Sequence, residues 1–361
     1  AAEQSLSWTT AHRFSRFVAL DRFVRKTIRA HGWAMILPKL PEKTWLASSA
    51  RSPEVIASRT VALNAYVSAL VDAPQLVALF EVSVFFDIGR HVLPRTARVL
   101  AVLGDAEFDP TEVTVPWKVM INAGIEVVFA TETGATPEAD TMLTRPGGVG
   151  LPLTASLDME PWAREIYSDM AASAGFTTPA TWADAGERLG QFAGLLLPGG
   201  HAPGMRQYLE SEALQALVAE FWATRVEAST GVVGAICHGT LLLARATHPG
   251  TGESCLADGV ATTSLPKSSE RMGYMLTSWK LGKRYTTYDV ACADEVKSFM
   301  HAPQEHFAAG PLILGGRGTL FDDSAAFVVQ DEHLPYVSAR WPGDAWLFGR
   351  RMAQLALALA P

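Results

Sequence analysis

The stretch Gly231-Val-Val-Gly-Ala-Ile-Cys-His-Gly-Thr240 carries an apolar, β-branched run straight into a cysteine, and an amphipathic segment, Leu241 to Ala246, follows at once. That order reads as strand, sharp turn, helix. Ala235 and Gly239 keep bulk away on both sides of the cysteine, as a strained turn at a sheet edge requires. A cysteine at a helix N-terminus meets a macrodipole that favours thiolate, so the pattern predicts Cys237 as a nucleophile on a pedestal. The turn alone leaves one alternative open, a buried structural cysteine at a strand end.

Outward from this turn, strands and helices alternate. Val99-Leu-Ala-Val-Leu103 reads as a buried strand. Glu112 to Ala123 reads as a helix stopped by Gly124, and Ile125 to Ala130 as the next strand. Gly194-Leu-Leu-Leu-Pro-Gly-Gly200 reads as a strand ending in a glycine turn, Leu209 to Ala223 as a helix, and Val232 to Ile236 as a fourth strand. This alternation predicts an α/β fold, a parallel sheet with helices on both faces. Ala326-Phe-Val-Val329, a turn at Asp331-Glu-His333, and Tyr336 to Arg340 predict an antiparallel hairpin, covered by a final helix from Asp344 to Ala360. The long segment Pro137 to Arg188 is expected to hold a helix near Trp162–Ala174 and to cap the sheet's C-terminal edge. In such a sheet the site lies beyond the carboxyl ends of the strands. There Gly104 to Glu112, Gly199-Gly200 and Cys237 converge.

Upstream of Arg98 the pattern differs. Arg22 to Ala30 and Ser52 to Leu70 look helical, the second with Val55, Ile56, Leu63, Tyr66, Val67 and Leu70 at spacings of mostly three and four. Leu37-Pro-Lys-Leu-Pro-Glu-Lys43 between them is a proline-punctuated loop. Leu76 to Phe86 closes the unit, and Ile88 to Thr96 is a short connector. Two domains are expected, 1–92 and 93–361. Charge divides along the chain as well. Residues 1–60 hold ten Lys/Arg against four Asp/Glu, while the remainder holds 20 against 33. A basic module on an acidic body suits anionic lipid or nucleic acid; a merely solvated basic face is the alternative.

At 48% hydrophobic and 19% charged residues the chain can bury proper cores, and no apolar run approaches the ~20 residues of a membrane span. Residues 1–30 carry no signal-peptide pattern. Cys237, Cys255 and Cys292 form no metal-ligand spacing and cannot all pair, which fits a reducing intracellular compartment. Neither a metal nor a cofactor is implied.

Two segments carry a family likeness. Leu197-Pro-Gly-Gly-His-Ala-Pro-Gly204 and Ala235-Ile-Cys-His-Gly-Thr-Leu-Leu-Leu-Ala244 together resemble the ThiJ/PfpI superfamily, of class I glutamine-amidotransferase-like fold. The resemblance extends from about Arg98 to Ala360 and takes in Asp109-Pro-Thr-Glu-Val113, Thr263-Ser-Leu-Pro-Lys-Ser-Ser-Glu270 and Ser338-Ala-Arg-Trp-Pro-Gly-Asp344. It implies a flavodoxin-like sheet with Cys237 as nucleophile and Glu112 as the acid hydrogen-bonded to its sulfur. It implies His238 as the histidine of the chaperone/glyoxalase branch, with Glu270 orienting it, and an oxyanion hole from the amides of Gly200 and His238. His201 would shape the loop. Bacterial chaperone relatives carry an aspartate where this chain has Lys267. The reaction implied is conversion of a small 2-oxoaldehyde to a 2-hydroxy acid without glutathione, a glyoxalase III-like activity. Related deglycase, chaperone, peptidase and oxidative-stress-sensor roles occur on the same fold.

His12-Arg-Phe-Ser-Arg-Phe17, Leu40-Pro-Glu-Lys43 and Ser58-Arg-Thr-Val-Ala-Leu-Asn-Ala-Tyr66 resemble a phox-homology (PX) domain over about residues 8–87. The resemblance implies a phosphatidylinositol 3-phosphate site. In it Arg13 grips the 3-phosphate, Phe14 lies under the inositol ring, Lys43 meets the 1-phosphate and Arg59 reaches the ring hydroxyls. About eleven residues precede the arginine motif, so the module is expected to lack its first strands and to be small and mostly helical. That leaves a partial or processed chain, a degenerate domain, or a sheet completed by another chain. The combined expectation is a cysteine-dependent enzyme peripheral to an endosomal membrane, as a homodimer or larger assembly and without nucleic acid. The alternative is a non-enzymatic scaffold or assembly subunit that kept both folds.

Overall fold

Residues 7–41, 52–145, 159–313 and 316–360 are described by the structure, a computed structural model. The chain divides into two compact units after Val92.

Every regular element among the described residues of the first unit is a helix. The first runs from Phe14 to His31, eight residues earlier than the periodicity suggested. Arg13 is its extended N-cap, and Leu20, Val24 and Ile28 recur every fourth residue to make its buried stripe. Gly32, at φ 63°, ends it in the left-handed conformation, its amide bonding back to the Arg29 carbonyl. Pro53–Val71 is capped by the Ser52 hydroxyl, which accepts from the Val55 amide at 3.3 Å. Phe17 meets Phe85 of the Phe80–Phe86 helix edge-on at 5.2 Å, and Tyr66, Leu70, Leu76 and Val82 complete the core.

The strands of the second unit are β1 (Ala97–Val102), β2 (Ala106–Phe108), β3 (Ile125–Thr131), β4 (Glu138–Ala139), β5 (Ala180–Thr181), β6 (Gly194–Leu197), β7 (Val232–Ile236), β8 (Val328–Gln330) and β9 (Tyr336–Ala339). Seven form one sheet in the order β5-β3-β1-β6-β7-β9-β8, while β2 and β4 pair separately. All neighbours in the large sheet are parallel except β8, which runs antiparallel to β9 with Val329 opposite Ser338. Its centre is fully buried, which is why β1, β6 and β7 read as continuous apolar runs. The Pro110–Asn122 and Ala345–Ala358 helices pack on each other and on the sheet. The Gly239–Arg245 helix packs on β6 and β7 along with the Met205–Glu210 and Glu212–Phe221 helices. The last two replace the single helix expected over Leu209–Ala223. Ser211 breaks the run and caps the second piece, accepting from the Leu214 amide at 3.2 Å.

Of the segment between β3 and β6, β4 pairs with β2 beyond the carboxyl end of β1, while the helix expected near Trp162–Ala174 packs to one side of the sheet. That helix, Pro161–Ala171, packs on the Pro110–Asn122 helix, with Trp162 against Trp346 at 5.4 Å, because its buried stripe of Ala163, Ile166 and Met170 fits that apolar surface. The same segment supplies β5, an edge strand too short for periodicity to reveal. From β1 the chain crosses to β3 on one side, and from β6 to β7 on the other. The switch point between β1 and β6 therefore opens a crevice at their carboxyl ends.

Candidate functional site

Cys237 ends β7 with φ 59°, a left-handed conformation uncommon outside glycine and strained in most residues. Its amide donates to the Ala339 carbonyl at 2.9 Å, which fixes the end of the strand before the turn. A Cβ at Gly239 would collide with the carbonyl oxygen of Leu197. Only glycine lets the helix start so close to β6. The strand–turn–helix read from the sequence is present, with the cysteine at its apex.

Glu112 reaches this apex from the first turn of the Pro110–Asn122 helix. Asp109, Pro110 and Glu112 form a helix-start pattern, an acidic N-cap, a proline at the first position and a glutamate three residues on. Asp109 caps as that pattern predicts, accepting from the Thr111 and Glu112 amides at 2.8 and 3.2 Å. Glu112 turns instead to the glycine loop after β6, where its Oε2 accepts from the Gly199 amide at 2.8 Å. The Asp109 amide donates to the Gly199 carbonyl at 2.9 Å, so the two loops are tied in both directions. A Cβ on Gly199 would lie 2.7 Å from the His238 nitrogen and 2.9 Å from both Cys237 Cβ and Glu112 Oε2. All three groups crowd the space that this glycine leaves empty. Gly200 follows at φ 154°, packed against the Asp109 amide and the Glu107 carbonyl.

His238 stands on the other side of the sulfur. Its Nδ1 is 3.6 Å from Cys237 Sγ and its Nε2 is 3.8 Å from Glu270 Oε1. Glu270 is buried, not a surface carboxylate, and its Oε2 accepts from the Cys292 amide at 2.9 Å. Cys292 in turn directs its thiol at the Cys237 carbonyl, 3.7 Å away. Lys267, at the position of the bacterial aspartate, is ion-paired with Asp294. His201 stacks 6.4 Å from His238 and 4.3 Å from Tyr285, and burial pushes it down to about 3, so it is neutral. Cys237, His238, Glu112, Glu270 and Gly200 are thus all gathered at one sheet edge.

Burial holds the Glu112 carboxyl well above the usual carboxylate range, and neighbouring Asp109 adds to the rise. Burial, the largest cause, likewise pushes the Cys237 thiol up, although the His238 amide hydrogen-bonds the sulfur. Desolvation thus opposes the thiolate that the start of the seven-residue helix favours. Burial also raises Asp109 to about 6.

The sulfur lines a cavity of about 140 Å3. Asp109, His201 and Glu270 line its polar side, and Leu265, Leu276, Trp341 and Arg317 are among the outer residues. Sequence reasoning missed Asp109, Arg317 and Cys292. The helix-start pattern signalled Asp109. Nothing local signals Arg317, whose guanidinium lies over the Trp341 ring at 5.1 Å.

In the first unit, Arg13 and Phe14 stand at the start of the first helix, and the Arg59 guanidinium covers the Phe14 ring at 5.0 Å. These three predicted lipid residues are together. Lys43 lies outside the described residues.

A doubly wound parallel sheet, a cysteine elbow and an acid in the first turn of the Pro110–Asn122 helix define the class I glutamine-amidotransferase-like architecture. A family model described as ThiJ/PfpI family-like matches residues 103–311, and the chain belongs to that family. A PX domain model matches residues 1–88. An uncharacterized protein of Schizosaccharomyces pombe is 25% identical over 262 residues, covering 72% of this chain and 84% of its own length. Among solved structures, the Rapid Encystment Protein 24 KDa of Francisella tularensis is similar at TM-score 0.50 and 16% identity, over 72% of this chain and 99% of that one. Glyoxalase III from Candida albicans gives TM-score 0.49 and 17% identity, over 73% and 98%. At such identities the structural likeness speaks to the fold alone.

Proposed function

We propose that the second unit is a cysteine-dependent, glutathione-independent glyoxalase that converts a 2-oxoaldehyde and water to a 2-hydroxy acid. The observation that carries this reading is the set of groups around the Cys237 sulfur: an imidazole 3.6 Å away, a buried carboxyl whose ionisation is disfavoured, and a cavity that the cysteine lines.

The chemistry follows from those positions. The substrate aldehyde carbon meets Sγ while the thiol proton passes to His238 Nδ1, and Glu270 stabilises the imidazolium from the far side. The hemithioacetal oxygen takes hydrogen bonds from the Gly200 and His238 amides. The imidazolium returns that proton to the hemithioacetal oxygen. His238, neutral again, takes the C1 proton while the Glu112 carboxyl protonates the C2 oxygen to give an enediol. His238 then delivers its proton to C2 as the Glu112 carboxylate takes the proton from the C1 hydroxyl, leaving a 2-hydroxy thioester on Cys237. Water then attacks the thioester, releases the 2-hydroxy acid and returns the proton to sulfur. No redox partner is needed, because C1 is oxidised as C2 is reduced.

The PX match supports a first unit that recognises a phosphoinositide headgroup, with Arg13, Phe14, Arg59 and Lys43 around a phosphatidylinositol 3-phosphate and the enzyme peripheral to an endosomal membrane. No helix of the described residues is long and apolar enough to cross a membrane.

Purified protein is expected to turn methylglyoxal into lactate, and Cys237→Ala to abolish this. Equal turnover in the variant removes Cys237 from the reaction. A wild type inert toward several 2-oxoaldehydes moves the reading to the non-enzymatic scaffold. Cosedimentation with phosphatidylinositol 3-phosphate vesicles, using Arg13→Ala as comparison, tests the first unit.

A further inference from the structure

The Lys267–Leu281 helix is turned the wrong way for a protein in water. It buries Glu270 and Thr277 and exposes Met272, Met275 and Trp279. At about 100° per residue, Met272, Met275, Leu276 and Trp279 share one stripe roughly 100° wide, opposite the buried polar pair. Met275 and Trp279 are each 72% exposed. Leu312, 61% exposed, shares the wall of the Cys237 cavity with Met272, so this apolar surface reaches the cavity mouth. Isolated exposed apolar residues are ordinary, but a continuous stripe on a helix whose polar face is inside is an interaction surface.

Charge selects the partner. Arg271 lies about 100° to one side of Met272, in a groove that Asp289 and Asp294 also line, and Lys280 about 80° to the other, so the helix itself is cationic on both flanks. The helix has one acidic residue, Glu270, and it is buried. A second copy of the same stripe would oppose cation to cation in either orientation. An apolar centre with a tryptophan and basic flanks is instead the pattern of a helix lying in a membrane interface, its rings among the acyl chains and its cations at anionic headgroups.

We infer that the Lys267–Leu281 helix is a second membrane contact, on the catalytic unit itself, which docks on an anionic bilayer through Met272, Met275 and Trp279. Lipid chemistry, not a specific headgroup, is what it reads. Docking also brings the cavity mouth to the bilayer surface, where apolar carbonyl compounds collect.

The test uses the full chain and vesicles without phosphoinositide: phosphatidylcholine alone and phosphatidylcholine with phosphatidylserine. Wild type is expected to cosediment with the serine-lipid vesicles and to bind phosphatidylcholine much less. Trp279→Glu is expected to lower the partition coefficient by about tenfold or more, while Trp279→Phe retains most of it. Thermal unfolding shows whether each variant is folded; at so exposed a position both Trp279 variants are expected to be. Three results each overturn the inference: no wild-type binding, equal binding by Trp279→Glu, or a wild-type dimer that Trp279→Glu dissolves.

Discussion

Replacing Glu112 by glutamine separates what this side chain does for the fold from what it does for the reaction. The carboxyl is buried, accepts one hydrogen bond from the Gly199 amide at 2.8 Å, and is held neutral by its surroundings. Glutamine is nearly the same size, its oxygen accepts the same bond, and it is neutral at every pH. The cost of the exchange to stability is therefore below about 1 kcal/mol, a typical net hydrogen bond. Near neutral pH the variant is expected to be the more stable of the two, because an unfolded Glu112 ionises and the folded one resists doing so. An amide cannot exchange a proton with the hemithioacetal. Loss of one general acid–base group costs about a hundredfold to ten-thousandfold in rate, or roughly 3 to 5 kcal/mol of barrier. Methylglyoxal turnover and chemical denaturation at the same pH give both numbers. A variant as stable as wild type and just as active refutes the proton role. A variant unfolded by several kcal/mol refutes the neutral-carboxyl argument.

Further outcomes follow from the same geometry. Asp109→Asn keeps a good N-cap but removes a carboxyl raised to about 6 from an ordinary 3.8. Such a group stabilises the fold relative to higher pH below about pH 4 and loses that contribution as pH rises to about 6, roughly 3 kcal/mol in all. Denaturation midpoints of the variant should therefore fall less than those of wild type across this window. Gly239→Ala sets a methyl group against the Leu197 carbonyl, where no flexible side chain can yield, and is expected to cost about 3 kcal/mol or more by urea unfolding. Asp344→Ala leaves Arg340 buried without the carboxylate that meets it twice at 2.9 Å, and is expected to cost about 3 to 5 kcal/mol in the same assay.

The parallel sheet was legible because β6 and β7 are buried throughout and β1 at all but Arg98, and full burial writes itself as uninterrupted apolar sequence. Cys237 was legible because the space around it excludes bulk, leaving small residues at Ala235 and Gly239. Short elements such as β2, β4 and β5 were not, since two or three residues hold no period. The inverted face of Lys267–Leu281 was hidden for another reason. Periodicity reports that a helix has an apolar stripe, not which way the stripe points, and burial of Glu270 by the Cys292 amide and His238 decides that from 22 and 32 residues away. The desolvation of Cys237 was hidden too. The start of a seven-residue helix favours a thiolate, while the enclosure that opposes it is built by loops after three different strands.

That enclosure bears on which of the family's chemistries this chain suits. A stress sensor needs a sulfur that peroxide reaches and finds ionised, since the thiolate is the species that oxidises. Cys237 has neither property in good measure: it is 2% exposed, and burial opposes ionisation. An enzyme whose base sits beside the thiol needs neither in advance. In the proposed reaction His238 Nδ1, 3.6 Å away, would take the proton as the carbon–sulfur bond forms, and the charge would pass from sulfur to the substrate oxygen without resting on an exposed thiolate. Burial that slows oxidation by small oxidants also strengthens the hydrogen bonds offered to that oxygen. The same desolvation therefore counts against a sensor and for a hemithioacetal-forming enzyme.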